Sequence, residues 1–336
     1  MNITWVIGNG FDIKCKMKTK YEDFYASPYV QTSNNAICKL IVDFINNGRN
    51  ASEINWADME TGLGDYTKKY PGKVEAELIQ SIKDLNRDLQ SFILEAENAF
   101  GKIETSQYDA FFNTLNTYPS ALCEQDQFDY QRLLVSIKGK LLALSINISY
   151  ISFNYTNVFA KFWNSVPLTY DSKLNAISCH IQKKNGCNVH GTLHNGLVMG
   201  CDNNNQYNNI DYPGLCNYLE KPIINTRAGH RNNEVANSII STTDVFLIFG
   251  SSLGETDETW WNQIAKRVIE NANGRVILFF YDPEYDNSYS FARDSRDAAK
   301  DAFIKRLSGF DEKQLECLKS RIMVTCKLDE IFNCAS

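Results

Sequence analysis

The 336-residue chain contains no run of eighteen apolar residues, so no membrane-spanning helix is expected. It has no basic block of five or six residues. With 34 basic and 40 acidic residues, its formal net charge is −6, which argues against a dedicated nucleic-acid surface. Met1–Ile7 is too short for the apolar core of a signal peptide and leads into Gly and Asp, so no secretory leader is expected. None of the ten cysteines sits in a Cys-x-x-Cys pair, which removes the zinc knuckle and the thioredoxin-type couple. Scattered thiols fit a reducing cytoplasm, where the Asn-x-Ser/Thr triplets at Asn2, Asn50, Asn147 and Asn154 are chance matches. Internal repeats and low-complexity linkers are also missing.

What is present is an ordinary globular composition, 43% apolar and 12% aromatic, enough for a large α/β core. The chain is organised around Ile3–Asp12. An apolar run, Ile3 to Ile7, ends in Gly8-Asn9-Gly10, which reads as a buried strand entering a tight turn. Glycines there let backbone N–H groups approach a ligand, and a turn that opens a helix suits a phosphate.

Downstream, short helices are expected over 21–27 and 36–46, the first with Thr19 and Glu22 at capping-box spacing. In the second, Ile37, Leu40, Ile41, Phe44 and Ile45 share a face. Longer helices are expected over 73–100 and 128–144, the latter from Leu133, Ile137, Leu141 and Leu144 in phase. A crossover between parallel strands needs only one helix, so residues 25–146 read as a helical insertion or cap over the edge that holds Gly8–Gly10. Residues 1–24 and 147–336 read as the core. Strands are expected at 147–153, 175–182, 188–189, 197–200, 244–249, 275–281 and 321–324, and helices following Asn157, over 233–241, beyond Asp257 and over 294–307. This alternation implies a mainly parallel sheet with helices on both faces.

Four segments, each just after an apolar run, bring polar residues to one sheet edge. They are Gly8-Asn9-Gly10 with Asp12, Asn154-Tyr155-Thr156-Asn157, His190-Gly191 and Gly250-Ser251-Ser252. In an open parallel sheet, ligands bind beyond the carboxyl ends of the strands. Gly-Asn-Gly-Phe-Asp, Trp-x-Asp-x-Glu, Phe-Asn-Tyr-Thr-Asn, Val-His-Gly and Gly-x-Ser-Leu-Gly-Glu-x-Asp, in this order from residue 3 to about 265, resemble the AbiH family of phage abortive-infection proteins. At greater distance the skeleton is similar to SIR2-like enzymes.

That resemblance implies a Rossmann-like, SIR2-like fold and NAD as substrate. It implies catalytic roles for Asn154 and His190, and cofactor-binding roles for Gly8, Asn9, Gly10, Phe11, Asp12, Tyr155, Gly250, Ser251 and Ser252. Asp12 stands where the SIR2 pattern has a small hydroxyl residue, Thr156 replaces an acid, and the four-cysteine zinc module is missing, which disfavours deacetylation. The activity implied is that of the NAD-hydrolysing defence enzymes. A histidine that takes a proton, an asparagine that orients water and a carboxylate on ribose hydroxyls suit that chemistry. Such an enzyme needs gating, by the 25–146 region, by a homo-oligomer or by a phage-derived activator.

The alternatives are a nucleotide-binding sensor without turnover, or a metal-dependent phosphodiesterase or nuclease drawing on Asp12, Asp202, Glu255 and Asp257. His190 and His194 stand four apart, but Gly191 and Thr192 make a poor helix and no third ligand is evident, so no metal is expected. Trp56, Asp58 and Glu60 read as a helix start with a buried tryptophan, Asp257 as a helix cap, and Tyr21 and Phe24 as core. His180 and His230 carry no signal.

Overall fold

The computed structural model describes residues 1–33, 35, 38–40, 42–43, 56–70, 74–283, 289–329 and 331–333. Strand β1 (Asn2–Ile7) leads into helix α1 (Gly10–Lys14). Helices α2 (Tyr21–Tyr25), α3 (Pro28–Gln31), α4 (Trp56–Lys69), α5 (Glu75–Phe100), α6 (Thr105–Thr117) and α7 (Glu124–Lys138) precede β2 (Leu144–Ser152). Helix α8 (Val158–Ser165), a hairpin of β3 (Thr169–Leu174) and β4 (Ile177–Lys183), and β5 (Cys187–Asn188) follow. Next come a small hairpin, β6 (Gly191–Thr192) and β7 (Gly196–Leu197), then α9 (Cys216–Leu219), α10 (Lys221–Arg227) and α11 (Asn232–Thr242). The chain closes with β8 (Val245–Phe249), α12 (Glu258–Glu270), β9 (Arg275–Phe279), α13 (Tyr289–Ile304), α14 (Glu312–Lys319) and β10 (Ile322–Thr325).

The sheet runs β10-β9-β8-β1-β2-β4-β3, with β5 continuing beside β2 past the end of β4. All pairings are parallel except β3 with β4. Counting the parallel strands in chain order gives 6-5-4-1-2-3, the doubly wound Rossmann-like arrangement, whose crossover direction reverses between β1 and β8. Side-chain alternation assigns the faces. Ile3, Trp5 and Ile7 join Leu247, Phe249, Ile277 and Phe279 on one face, under α6, α7 and α8. Val6 joins Phe246, Ile248, Val276 and Leu278 on the other, under α11, α12, α13 and α14.

The segment 25–146 divides between two cores. Val30, Met59, Leu63, Leu78, Ile82, Leu85 and Leu89 build a separate cap core with Met199, Tyr207, Leu215 and Leu219 from the far half of the chain. Ala96, Phe111, Leu115, Tyr130 and Leu134 instead pack on the sheet itself. The second half of this region is therefore one helical layer of the sandwich, and the first half is the cap.

Several boundaries differ from expectation for local reasons. Helix α7 stops at Lys138 because Gly139 takes a left-handed φ of +54°. Leu141 is therefore exposed, and Leu144 starts β2 rather than ending the helix. At α2 the reciprocal capping contact is the Lys20 amide N–H donating to Asp23 (3.0 Å), while Thr19 turns to Asn9. Of the helix expected over 36–46, residues 38–40 and 42–43 are helical; Ile37, Ile41, Phe44 and Ile45 lie outside the described residues. Helix α4 does begin at Trp56, whose side chain lies outside what is described. Strand β3 and helices α6, α10 and α14 have no counterpart among the expected elements.

Candidate functional site

A cavity of about 600 Å³ lies beyond the carboxyl ends of β1, β2, β5, β8 and β9, at the switch point between β1 and β8. Its floor and walls include Gly8, Asn9, Gly10, Asp12, Phe153–Thr156, His190, Phe249–Ser252 and Asp257. The cap closes it from above with Tyr21, Glu60 and Ile93. The four polar segments expected at one edge do converge.

The glycines at this edge are explained first by packing. The Gly8 amide donates to the Phe249 carbonyl (2.9 Å) and the Gly10 amide to the Gly250 carbonyl (2.8 Å). A Cβ on Gly8 would lie 2.5 Å from the Gly250 oxygen, and one on Gly10 would lie 2.4 Å from the Gly250 Cα. Gly250 itself has φ +69°. The two loops at the switch point thus touch backbone to backbone, and the Gly8 and Gly10 N–H groups are spent there rather than offered to a phosphate. Leu253 is held at φ +53° in the same loop, a conformation that costs a non-glycine residue about 1 kcal/mol or more.

Three expected ligand contacts are engaged elsewhere. Phe11 is fully buried in the sheet core, edge-on to Phe111, Phe159, Phe162 and Phe332. It follows Gly10 on a helix, where successive side chains diverge by about 100°, so Asp12 faces the cavity while Phe11 faces the sheet. The Asn9 amide pins the next loop, donating to the Thr19 carbonyl (2.9 Å) and accepting from the Thr19 hydroxyl (2.9 Å). Ser251 accepts the Leu253 amide at 3.1 Å and braces its own loop.

Asn154 and Asp12 are different. Asn154 is 3% exposed; its amide oxygen has no hydrogen-bond partner, and its amide nitrogen has none beyond a loose approach to the Asp12 carboxyl. Asp12 Oδ2 accepts the Thr156 hydroxyl at 2.8 Å, while its buried Oδ1 has no hydrogen-bond partner. Burial pushes the Asp12 carboxyl up to about 7; Thr156 and the adjoining Asn154 pull it down by less, and Glu97 adds to the rise. Unmet polar groups of this kind cost about 1–3 kcal/mol each, a cost that a ligand or water in the cavity would remove.

His190 is fully engaged. Its Nδ1 lies 3.1 Å from the Phe153 carbonyl, which only accepts, so Nδ1 carries a proton. Its Nε2 lies 2.9 Å from Asp257 Oδ1. That oxygen also accepts from Lys221 Nζ (3.0 Å), which donates to Glu60 Oε2 at 2.8 Å. A buried chain of hydrogen-bonded ionisable groups therefore runs Glu60–Lys221–Asp257–His190. Glu60 also accepts the hydroxyls of Tyr155 (2.9 Å) and Thr256 (2.6 Å) and the Gly200 amide (3.2 Å). Burial opposes the charge on Asp257, but Lys221 and His190 outweigh it and hold the carboxyl well below the usual carboxylate range. Burial likewise opposes the Lys221 ammonium, and Asp257 and Glu60 raise it above its ordinary value.

This network corrects two readings. Asp257 occupies the N-cap position of α12 but gives no side-chain capping bond; its carboxylate turns inward to His190 and Lys221. Glu60 is not simply part of a helix start, for it links the cap to the pocket wall. Lys221 had no signal in sequence.

Among the described residues, no group of three or more His, Cys, Asp or Glu is placed to hold a metal ion. The four carboxylates a nuclease would draw on face different partners: Asp12 meets Thr156, Asp202 the Thr259 amide, Glu255 Arg306, and Asp257 the Lys221–His190 pair. No helix of the described residues is long and apolar enough to cross a membrane.

The family model for bacteriophage abortive infection AbiH matches residues 4–281. The chain belongs to the AbiH family. The match takes in every residue of the cavity wall named above and the whole charge network, while Leu328 of this AbiH protein's pocket lies beyond it. No curated protein and no solved structure matches the chain.

Proposed function

We propose that this AbiH protein acts in antiphage defence by hydrolysing NAD⁺ to nicotinamide and ADP-ribose. The observation that carries the reading is Asn154: a buried amide that adjoins the Asp12 carboxyl, makes no other recorded hydrogen bond, and faces a cavity at the switch point of a Rossmann-like sheet. Nicotinamide departs from a cationic ribosyl centre through an oxocarbenium-like state. The protein's task there is to position one water and exclude others. An amide that can donate and accept together suits that task. Tyr155, braced by Glu60, and Phe153, packed on Trp261, give the cavity rigid aromatic walls. The resemblance to SIR2-like enzymes, quoted above on the same segments, supports the choice of substrate.

The test is release of nicotinamide and ADP-ribose by purified protein in EDTA, with Asn154→Ala alongside. The expected result is turnover by wild type and a loss of at least a hundredfold in the variant, with no loss of folded stability. Intact NAD⁺ after prolonged incubation with wild type would sink the reading. A nucleotide-binding sensor without turnover is the second reading. It is favoured by the engagement of both His190 nitrogens and by Thr156, whose hydroxyl is given to Asp12. NAD⁺ that raises the melting temperature and is recovered unchanged would select it.

A further inference from the structure

We propose that Asp12, rather than His190, is the residue that accepts the proton when water adds to the ligand in this cavity. The inference rests on the hydrolase reading above and assigns its general base. A base must present a lone pair toward the reacting water. His190 presents none: Nδ1 donates to the Phe153 carbonyl, and Nε2 faces the Asp257 carboxylate. Both nitrogens face acceptors, an arrangement that the imidazolium satisfies as a double donor. Freeing Nε2 would leave Asp257 with Lys221 alone in a buried site.

Asp12 has what His190 lacks. Its Oδ2 is oriented by Thr156, which fixes the carboxylate plane, and its Oδ1 is buried without a hydrogen-bond partner. The Asn154 amide adjoins the carboxyl as a side-chain donor, and its own oxygen has no hydrogen-bond partner. A water held by the Asn154 amide would have Asp12 as its neighbouring acceptor. In the reaction, the water oxygen bonds to ribose C1′. The C1′–N bond breaks with its electron pair passing to the pyridinium nitrogen, so nicotinamide leaves neutral. The water proton goes to Asp12 Oδ1 and then to solvent.

Thr156 has a role under this assignment. An acid at that position would place a second negative charge against Asp12, whereas a hydroxyl donates to it and leaves one oxygen free. Charged groups near Asp12 include Glu97 of α5, which is paired with Lys161 of α8 at 2.9 Å, and Lys20 and Glu22 at the cavity rim. A carboxyl lifted to about 7 by burial is matched to proton transfer near neutral pH, and its active form is the one present above that value.

The experiment measures kcat/KM for NAD⁺ against pH for wild type, Asp12→Asn and His190→Gln, with NAD⁺-dependent melting shifts to report binding. The expected wild-type profile rises about tenfold per pH unit below about 7 and then levels. Asp12→Asn is expected to lose at least a hundredfold in kcat while keeping the NAD⁺ melting shift. His190→Gln, if slowed, is expected to keep the rise below about 7. An Asp12→Asn enzyme that turns over at the wild-type rate, or a His190→Gln enzyme whose rate no longer depends on pH, overturns the assignment and leaves the hydrolase reading standing. No turnover by wild type at any pH overturns both.

Discussion

Removing the Lys221 ammonium tests the charge network most directly. Lys221 is 4% exposed and bonds Glu60, Asp257 and the Thr256 carbonyl. Lys221→Met keeps most of the side-chain volume and leaves two buried carboxylates facing a gap. Breaking a buried pair by removing one partner costs about 3–5 kcal/mol, because an uncompensated charge remains. With a urea slope of about 3 kcal/mol per molar, the midpoint at pH 7.5 falls by roughly 1–1.7 M. The exposed pair Arg231–Glu234, at 80% and 68% side-chain exposure, is the internal control. Arg231→Met should cost within about 0.5 kcal/mol. The cost at Lys221 should also depend on pH. In wild type, Asp257 is depressed, so its contribution is present above the unfolded carboxylate range and fades only as pH falls through its low folded value. In Lys221→Met only His190 still opposes burial, so the folded Asp257 carboxyl moves up and the variant's cost shrinks as pH falls toward 5. Paired urea melts at pH 7.5 and pH 5.0 read this out. A Lys221→Met cost equal to that of Arg231→Met, or unchanged between the two pH values, would refute the account of a closed, dry network.

Phe332 packs its ring within 4.9–5.3 Å of Trp5, Phe11, Phe111 and Phe249, centroid to centroid. Phe332→Ala should therefore cost about 3–5 kcal/mol in a urea melt, and a cost under about 1 kcal/mol would show that the C-terminal segment is not part of the core. Two left-handed glycines separate strain from contact. Gly309→Ala, at φ +79° with open space around it, should cost about 1 kcal/mol. Gly250→Ala, whose Cβ would meet Gly10 Cα at 2.7 Å, should cost more than twice that and force the two cavity loops apart. Equal melting shifts for the two would mean that the loops yield freely.

The sheet was legible where strands are buried on both faces and end in glycine. Asp244–Phe249 followed by Gly250 is the clearest case, and the strand appears one residue shorter, at Val245–Phe249. Strand β3 was not legible. Thr169–Leu174 lies at the sheet edge with alternating exposure, so its sequence, Thr-Tyr-Asp-Ser-Lys-Leu, carries no apolar run. The usable signal was the turn: Asn175 and Ala176 both have positive φ, as two-residue hairpins require, and Asn before a small residue is a weak form of that signature. Helix α6 was missed because its apolar residues, Phe111, Phe112 and Leu115, are few and interleaved with polar ones.

The site was legible in its backbone and illegible in its charges, for one physical reason. A glycine turn after an apolar run is a local pattern. A buried ion network is a relation between distant residues: Glu60 and Lys221 are 161 apart in the chain, and His190 and Asp257 are 67 apart. Three of these residues, read alone, do not stand out: Lys221 carries no signal, Glu60 reads as part of a helix start, and Asp257 as a cap. Burial of charge makes sense only when partners are supplied, so the presence of all four in one connected chain is what marks the arrangement as built rather than incidental. The network also divides labour in the pocket. It uses up both ring nitrogens of His190, and so leaves Asp12 and Asn154, two residues joined to the sheet by short turns from β1 and β2, among the cavity's polar groups able to meet a ligand.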